Sequence, residues 1–191
     1  MLRGGIELAD PFEVALGFVA AYGADDPGGA SAPDTFDELD LLRANRGGAR
    51  ISATEQAAVL SRRREIEAAL REIPLGASLA ARTVPWAPLT RLFDGFGEIR
   101  GVGFAKATKA LHPKRPALVP MLDSVVQRYL ALDEPGGESF GEQATALVRS
   151  YKQDLDRNRA ALREAKAVLA RRGYALSEVR ILDMLIWSAF S

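Results

Sequence analysis

Two glycines around a small apolar residue, followed by two lysines one helical turn apart, are the residues best suited to chemistry in this chain. They are Gly101-Val102-Gly103, then Lys106 and Lys109. Glycines so spaced allow a sharp reversal of the backbone and let an anion approach the main chain with no Cβ in the way. Amides of such a turn, and of a helix that follows it, point outward, and the helix dipole favours negative charge there. Lys106 and Lys109 share a helix face and can reach neighbouring phosphates. Val102 is expected to face inward, with Ala107 and Leu111 on the buried side of the helix. Lys114 and Arg115, in the loop beyond, are expected to add phosphate contacts. A bare Gly-x-Gly is also compatible with a plain helix corner whose glycines serve tightness alone.

Asp123 opens the next apolar segment, Ser124 to Leu130. Its carboxylate can activate water or stabilise developing positive charge. It can equally cap the helix that follows, where Asp is a favoured residue. Tyr129 lies near it in sequence and is the candidate ring for a base pocket. Trp86, Phe104 and Trp187 are aromatic at helical spacing, which more often means core. His112 is expected to end a helix at the surface. Arg62-Arg63-Arg64 reads as a solvated helix face or as a track for a nucleic-acid backbone.

Composition removes several kinds of chemistry. The 191 residues include no cysteine and one histidine, His112. Disulfides, thiolate-held iron–sulfur clusters, cysteine nucleophiles and His-rich metal sites are thereby excluded. No cofactor and no metal site is expected. No run of about 18 apolar residues occurs, so no membrane span is expected. The first residues lack the apolar core of a secretion signal, which predicts a cytoplasmic protein. Net charge is zero, yet it is unevenly distributed. Residues 1–60 hold 4 basic and 10 acidic side chains, whereas residues 96–130 hold 6 basic and 2 acidic. One basic segment in a neutral protein suits a local phosphate-binding patch, or a solvated helix face.

The elements that must position these residues read as helices. Asp10, Pro11 and Glu13 form a helix start whose helix ends near Tyr22-Gly23. A loop is expected over residues 23–33, and Asp34 can cap a short helix carrying Phe36, Leu39 and Leu42, broken by Gly47-Gly48. Ser52 and Glu55 form a capping box, after which Val59, Ile66, Leu70 and Ile73 fall on one face of a helix stopped by Pro74. Pro85 and Pro88 open a helix with Leu89, Leu92 and Phe93. A second capping box, Ser139 with Glu142, starts a charged amphipathic stretch to Arg172, ended by Gly173 and either continuous or broken near Asp156. Ser177 caps a last helix whose Ile181, Leu182, Leu185, Ile186 and Ala189 must dock on the body. The segment 117–122 is the only one that could be extended, and Pro120 argues against a ladder strand. The expectation is one all-α globular domain over residues 1–191, of about eight or nine helices.

From Phe96 to Leu130 the chain resembles the helix-hairpin-helix DNA glycosylase superfamily, which includes endonuclease III and the adenine glycosylases. That family follows an Ile/Leu-Pro-Gly-Val-Gly hairpin with a helix, a short loop and a catalytic Asp that opens the next helix. Asp123 follows Gly101 by 22 positions, and Leu122-Asp123-x-x-Val126-x-Arg128 looks like the family's stretch around that Asp. The resemblance implies a helix-hairpin-helix over about residues 88–112 and an Asp-capped helix over residues 123–131. Arg100 stands where the family has Pro. Ala105 stands where bifunctional members carry a Schiff-base lysine, and Lys106 is turned about 100° away from that position. The resemblance therefore implies a monofunctional hydrolase rather than a lyase. The whole chain also looks like an uncharacterised bacterial protein family that shares the central segment and an Arg-x-Leu-Asp-like final helix.

Two function classes follow. One is a DNA-binding protein of glycosylase type, cleaving an N-glycosidic bond through Asp123 and water. The other is a non-catalytic DNA-binding or protein-interaction module on the same scaffold. The expected partner is the DNA backbone without sequence preference, contacted by Gly101, Val102, Gly103, Lys106, Lys109, Lys114 and Arg115.

Overall fold

A computed structural model describes residues 1–8, 10–22, 31–130 and 136–191. Its described residues form ten α-helices and two short 3-10 turns, with no strand among them. The helices are α1 (Pro11–Tyr22), α2 (Glu38–Arg46), α3 (Ala53–Ser61), α4 (Arg63–Glu72) and α5 (Trp86–Asp94). They continue as α6 (Phe104–Leu111), α7 (Ser124–Leu130), α8 (Phe140–Arg157), α9 (Arg159–Arg171) and α10 (Glu178–Phe190). The all-helical expectation holds, with more helices than the eight or nine anticipated, because two long stretches are each split. Most of the expected loop over residues 23–33, and Ala131 at the end of the expected helix 123–131, lie outside the described residues.

Local chemistry explains most helix starts. Asp10 Oδ1 accepts from the Phe12 and Glu13 amides at 3.0 and 3.1 Å. Capping boxes close at Ser52/Glu55 and Ser139/Glu142. Ser177 Oγ accepts from the Arg180 amide at 3.0 Å. Each cap satisfies amides that the first helical turn leaves unpaired. The short helix after the acidic loop begins later than expected. Asp37, not Asp34, is its N-cap, with Asp40 completing the box. Asp34 is instead engaged by Arg115 at 2.7 Å.

The helix breaks at Arg62 and Asn158 hold neither Gly nor Pro, and the side chains of both residues make tertiary bonds. The Arg62 guanidinium reaches the Asp94 carbonyl at the end of α5. Asn158 ties the Asp154 carbonyl to the chain's N-terminal amine, which donates to its Oδ1 at 2.6 Å. The stretch from 139 to 172 is thus two helices, α8 and α9, parted two residues beyond the position anticipated.

One connected apolar core runs from Leu2 to Ile186. At its centre α10 buries Val179, Ile181, Leu182, Met184, Leu185 and Ile186, packed among α1, α7 and α9. A helix apolar on nearly every side belongs inside a bundle. α5 lies between α4 and α8, while α6 rests on α2. The approach of α8 to α5 is close at Gly141, where a Cβ would overlap the Thr90 carbonyl. The Gly141 amide donates to Asp94 Oδ1 at 2.6 Å. Among the described residues no helix is long and apolar enough to cross a membrane.

Candidate functional site

The α5–α6 turn carries the backbone features expected of it. Gly101 has φ +86°, a left-handed conformation that side chains with a Cβ rarely adopt. The Val102 amide donates to the Ile99 carbonyl at 2.9 Å, closing the turn, and the Val102 side chain is buried. Gly103 is exposed and is the N-cap of α6, at φ −99° with open space where a Cβ would stand. No side chain caps α6. Its first-turn amides therefore lack the side-chain acceptor that α2, α3 and α8 have, and the positive end of the helix dipole lies at an exposed glycine. Ala107 and Leu111 are fully buried, as expected.

The lysines of α6 are held by the segment between α2 and α3. Lys106 Nζ donates to both carboxylate oxygens of Glu55, at 2.7 and 2.8 Å. Lys109 Nζ donates to the Gly47 carbonyl at 3.0 Å. Arg46 and Arg50 flank the Gly47-Gly48 loop on which Lys109 rests, and both are exposed. Arg100, next to Gly101, is also exposed. At the turn itself Lys106 meets Glu55, with exposed Glu98 and Arg100 nearby in sequence, while exposed Arg46 and Arg50 flank the loop that meets α6 at Lys109, in its last turn. Arg46 and Arg50 were hidden from a linear reading, because they belong to the acidic N-terminal third. The signal for them was the Gly47-Gly48 pair, a loop small enough to lie against another helix.

Lys114 and Arg115 do not belong to this surface. The Lys114 side chain is 1% exposed and pairs with Asp40 at 2.8 Å, with further bonds to Ser31 Oγ and to the Ser31 and Ala32 carbonyls at 3.1 Å. The Arg115 side chain has no exposed surface; it donates to the carbonyls of Pro33, Lys114, Leu70 and Ile73 and to Asp34. Both expected phosphate contacts are corrected on this ground: buried cations bound to several acceptors hold the loop before α2 onto the body. Removing one partner of a buried ion pair typically destabilises a fold by about 3–5 kcal/mol.

The expected catalytic and stacking residues are placed separately. Asp123 is half-buried, and its Oδ1 caps α7 by accepting from the Val125 and Val126 amides, both at 3.0 Å. Tyr129 is 4% exposed. Its hydroxyl oxygen accepts from the Arg3 amide at 3.1 Å, and its ring packs edge-on against Phe190 with 5.0 Å between centroids. Burial, the main cause, pushes its phenol up to about 12. The reading of Tyr129 as a base-pocket ring is corrected, since a ring packed in the core presents no face to a base. Of the other aromatics, Phe104 packs on Phe140, Trp187 on Phe18, and Trp86 under the Arg149 guanidinium.

His112 is also corrected. It is 2% exposed, and its Nδ1 lies 2.6 Å from the Val119 carbonyl oxygen. It belongs to a buried polar group with Asp183, Tyr151 and Arg180 that the linear reading missed. The run Arg180-Ile181-Leu182-Asp183 supplies two of its members. Asp183 Oδ2 accepts from the Met121 amide at 3.2 Å, and Tyr151 donates to the Val179 carbonyl at 2.7 Å. The Arg62–Arg64 run divides: Arg62 bonds α5, Arg63 pairs with Glu67 at 2.6 Å, and Arg64 is exposed.

Two clefts open on the N-terminal side chains. One, of about 390 Å³, is lined by Asp10, Pro11, Phe12 and residues of α9. The other, of about 240 Å³, lies among Met1, Leu2, Leu8, α9 and α10. Neither is lined by Asp123 or by the α5–α6 turn. Among the described residues no group of three or more His, Asp or Glu side chains is arranged to hold a metal ion.

A family model described as "Family of unknown function (DUF6308)" matches residues 16–190, and the chain belongs to that family. No curated protein and no solved structure matches it.

Proposed function

We propose that this member of the DUF6308 family is a non-catalytic module that binds the phosphate backbone of DNA weakly and without sequence preference, through a helix-hairpin-helix-like turn. One observation carries the reading. The Gly101-Val102-Gly103 turn delivers α6 with no side-chain cap and its N-terminus at an exposed glycine, with exposed Arg100 next to Gly101 in sequence and exposed Arg46 and Arg50 on the loop that meets α6 at Lys109. Uncapped amides, a favourable dipole and nearby guanidinium groups are what a phosphate oxygen needs. The likeness to helix-hairpin-helix glycosylases rests on residues 96–130 alone.

The binding reading is preferred because Tyr129, the expected base-pocket ring, lies in the core and neither cleft described above is lined by Asp123. The Asp123 cap on two amides of α7 fits both readings, since the glycosylases' Asp also opens its helix. A carboxylate that caps a helix needs no catalytic role to account for its presence.

A fluorescence-anisotropy titration of labelled duplex at low salt tests the proposal. Binding is expected, independent of base sequence. Each phosphate neutralised contributes about −0.9 to the slope of log affinity against log salt, so roughly two contacts give a slope near −2. Absence of binding to duplex and single strand at low salt contradicts the reading. Release of a base from a damaged duplex, abolished by Asp123→Asn, restores the glycosylase instead.

A further inference from the structure

We infer that Glu55 is an internal anion that competes with backbone phosphate for Lys106 and the Gly101 turn, so that the turn admits a polyanion but excludes a lone phosphate. The inference deepens the phosphate reading above and rests on it. Geometry places the carboxylate where the sequence leads one to expect a phosphate. A Cβ built on Gly101 would overlap Glu55 Oε1, so this oxygen lies against the bare Cα that the glycine provides. The same carboxylate accepts both bonds from Lys106 Nζ, and its Oε2 accepts from the Ser52 amide at 2.8 Å. The capping box fixes this position: Ser52 as N-cap puts Glu55 at the third helical residue, facing back toward the turn.

The pair is partly sheltered, with the Lys106 and Glu55 side chains 22% and 14% exposed. Lys106, followed by the Ser52 amide, holds the Glu55 carboxyl below its ordinary range, so it is ionised at neutral pH. An incoming phosphate must exchange one Lys106 ion pair for another, which changes little by itself. A lone phosphate gains beyond that exchange only the few uncapped amides of α6. A nucleic-acid backbone brings further phosphates within one molecule, and exposed Arg100 beside the turn, with exposed Arg46 and Arg50 on the loop that meets α6 at Lys109, can receive them. A displaced Glu55 also takes up a cation from solution, so each binding event releases about one counterion fewer than its contacts imply.

Glu55→Gln tests this, with Glu98→Gln as a control for charge alone, because Glu98 is exposed on the same turn. Gln at the third position retains the capping box, and a melting curve checks the fold. Labelled duplex and inorganic phosphate are titrated separately at low salt. Glu55→Gln should bind duplex roughly fivefold more tightly than wild type, the worth of about one partly exposed ion pair. Its salt slope should steepen by about 0.9, and Lys106→Met on top of it should erase both effects. Glu98→Gln should give a smaller gain and the wild-type slope. Wild type should not bind inorganic phosphate measurably. Equal duplex affinity for wild type and Glu55→Gln, or the same gain and slope in Glu98→Gln, overturns the inference while leaving the phosphate reading in place. Tight binding of inorganic phosphate by wild type overturns it as well. If no variant binds duplex, the phosphate reading fails and the inference fails with it.

Discussion

Asp183 shows how much a single buried charge can shape this protein. It is 3% exposed, on the central helix α10. Burial pushes its carboxyl up to about 6, against the opposing pull of His112, Arg180, the Met121 amide and Tyr151. From the ordinary value of 3.8 up to about 6, the folded protein binds a proton at this site that the unfolded chain has released. Stability from this group is therefore fully present below 3.8 and is lost as pH rises through about 6. The unfolding free energy of wild type minus that of Asp183→Asn should grow in favour of wild type as pH falls from about 7 to about 4. The growth should be on the order of 2–3 kcal/mol. A pH-independent difference in chemical denaturation contradicts this. The same carboxylate, with His112 at Val119, holds the loop that leads into Asp123. Neither residue announced this in the sequence, because a lone His before Pro113 and an Asp in an apolar run have no periodicity that locates their partners.

Among the elements, α6 starts without a side-chain cap, as α4, α5 and α9 also do, and its N-cap is an exposed glycine. The starts at Asp10, Ser52, Ser139 and Ser177 were legible, since each cap lies within three residues of the amides it serves. The break at Arg62 was not, its tertiary partner being 32 positions away, and the break near Asp156 was left open against a continuous helix. Gly103, at the start of α6, has an extended conformation and room for a side chain. Gly103→Asp should thus supply the missing cap and stabilise the protein slightly, by roughly 0.3 kcal/mol. The added carboxylate would occupy the amides and repel phosphate, so duplex binding should weaken severalfold or vanish. A rise in melting temperature together with a loss of affinity is the expected pair of results. Unchanged affinity in a well-folded variant contradicts the assignment of α6 as the contact point.

For the molecule as a whole, the uneven charge along the chain has an internal meaning. Of the six basic residues in the segment 96–130, Lys106, Lys114 and Arg115 pair with Glu55, Asp40 and Asp34 of the acidic N-terminal third. The two regions are complementary surfaces of one fold, which explains how a basic segment arises in a neutral protein without all of it facing a partner. The all-helical class, most caps and the core faces were readable because they follow short-range periodicity. The site was readable only at the Gly101-Val102-Gly103 turn, since the pairing of charges 50 to 80 positions apart depends on packing that the linear order does not display.

The central claim is that phosphate meets the protein at the N-terminus of α6, and amide chemical-shift mapping by NMR on the labelled protein tests it most directly. On adding a short duplex at low salt, the amides of Gly101, Gly103, Phe104, Ala105 and Lys106 should shift most, followed by those of Arg46 to Arg50. The amides lining the clefts beside α9 should stay in place. Shifts centred on those clefts or on Asp123, with the α6 amides unmoved, contradict the account.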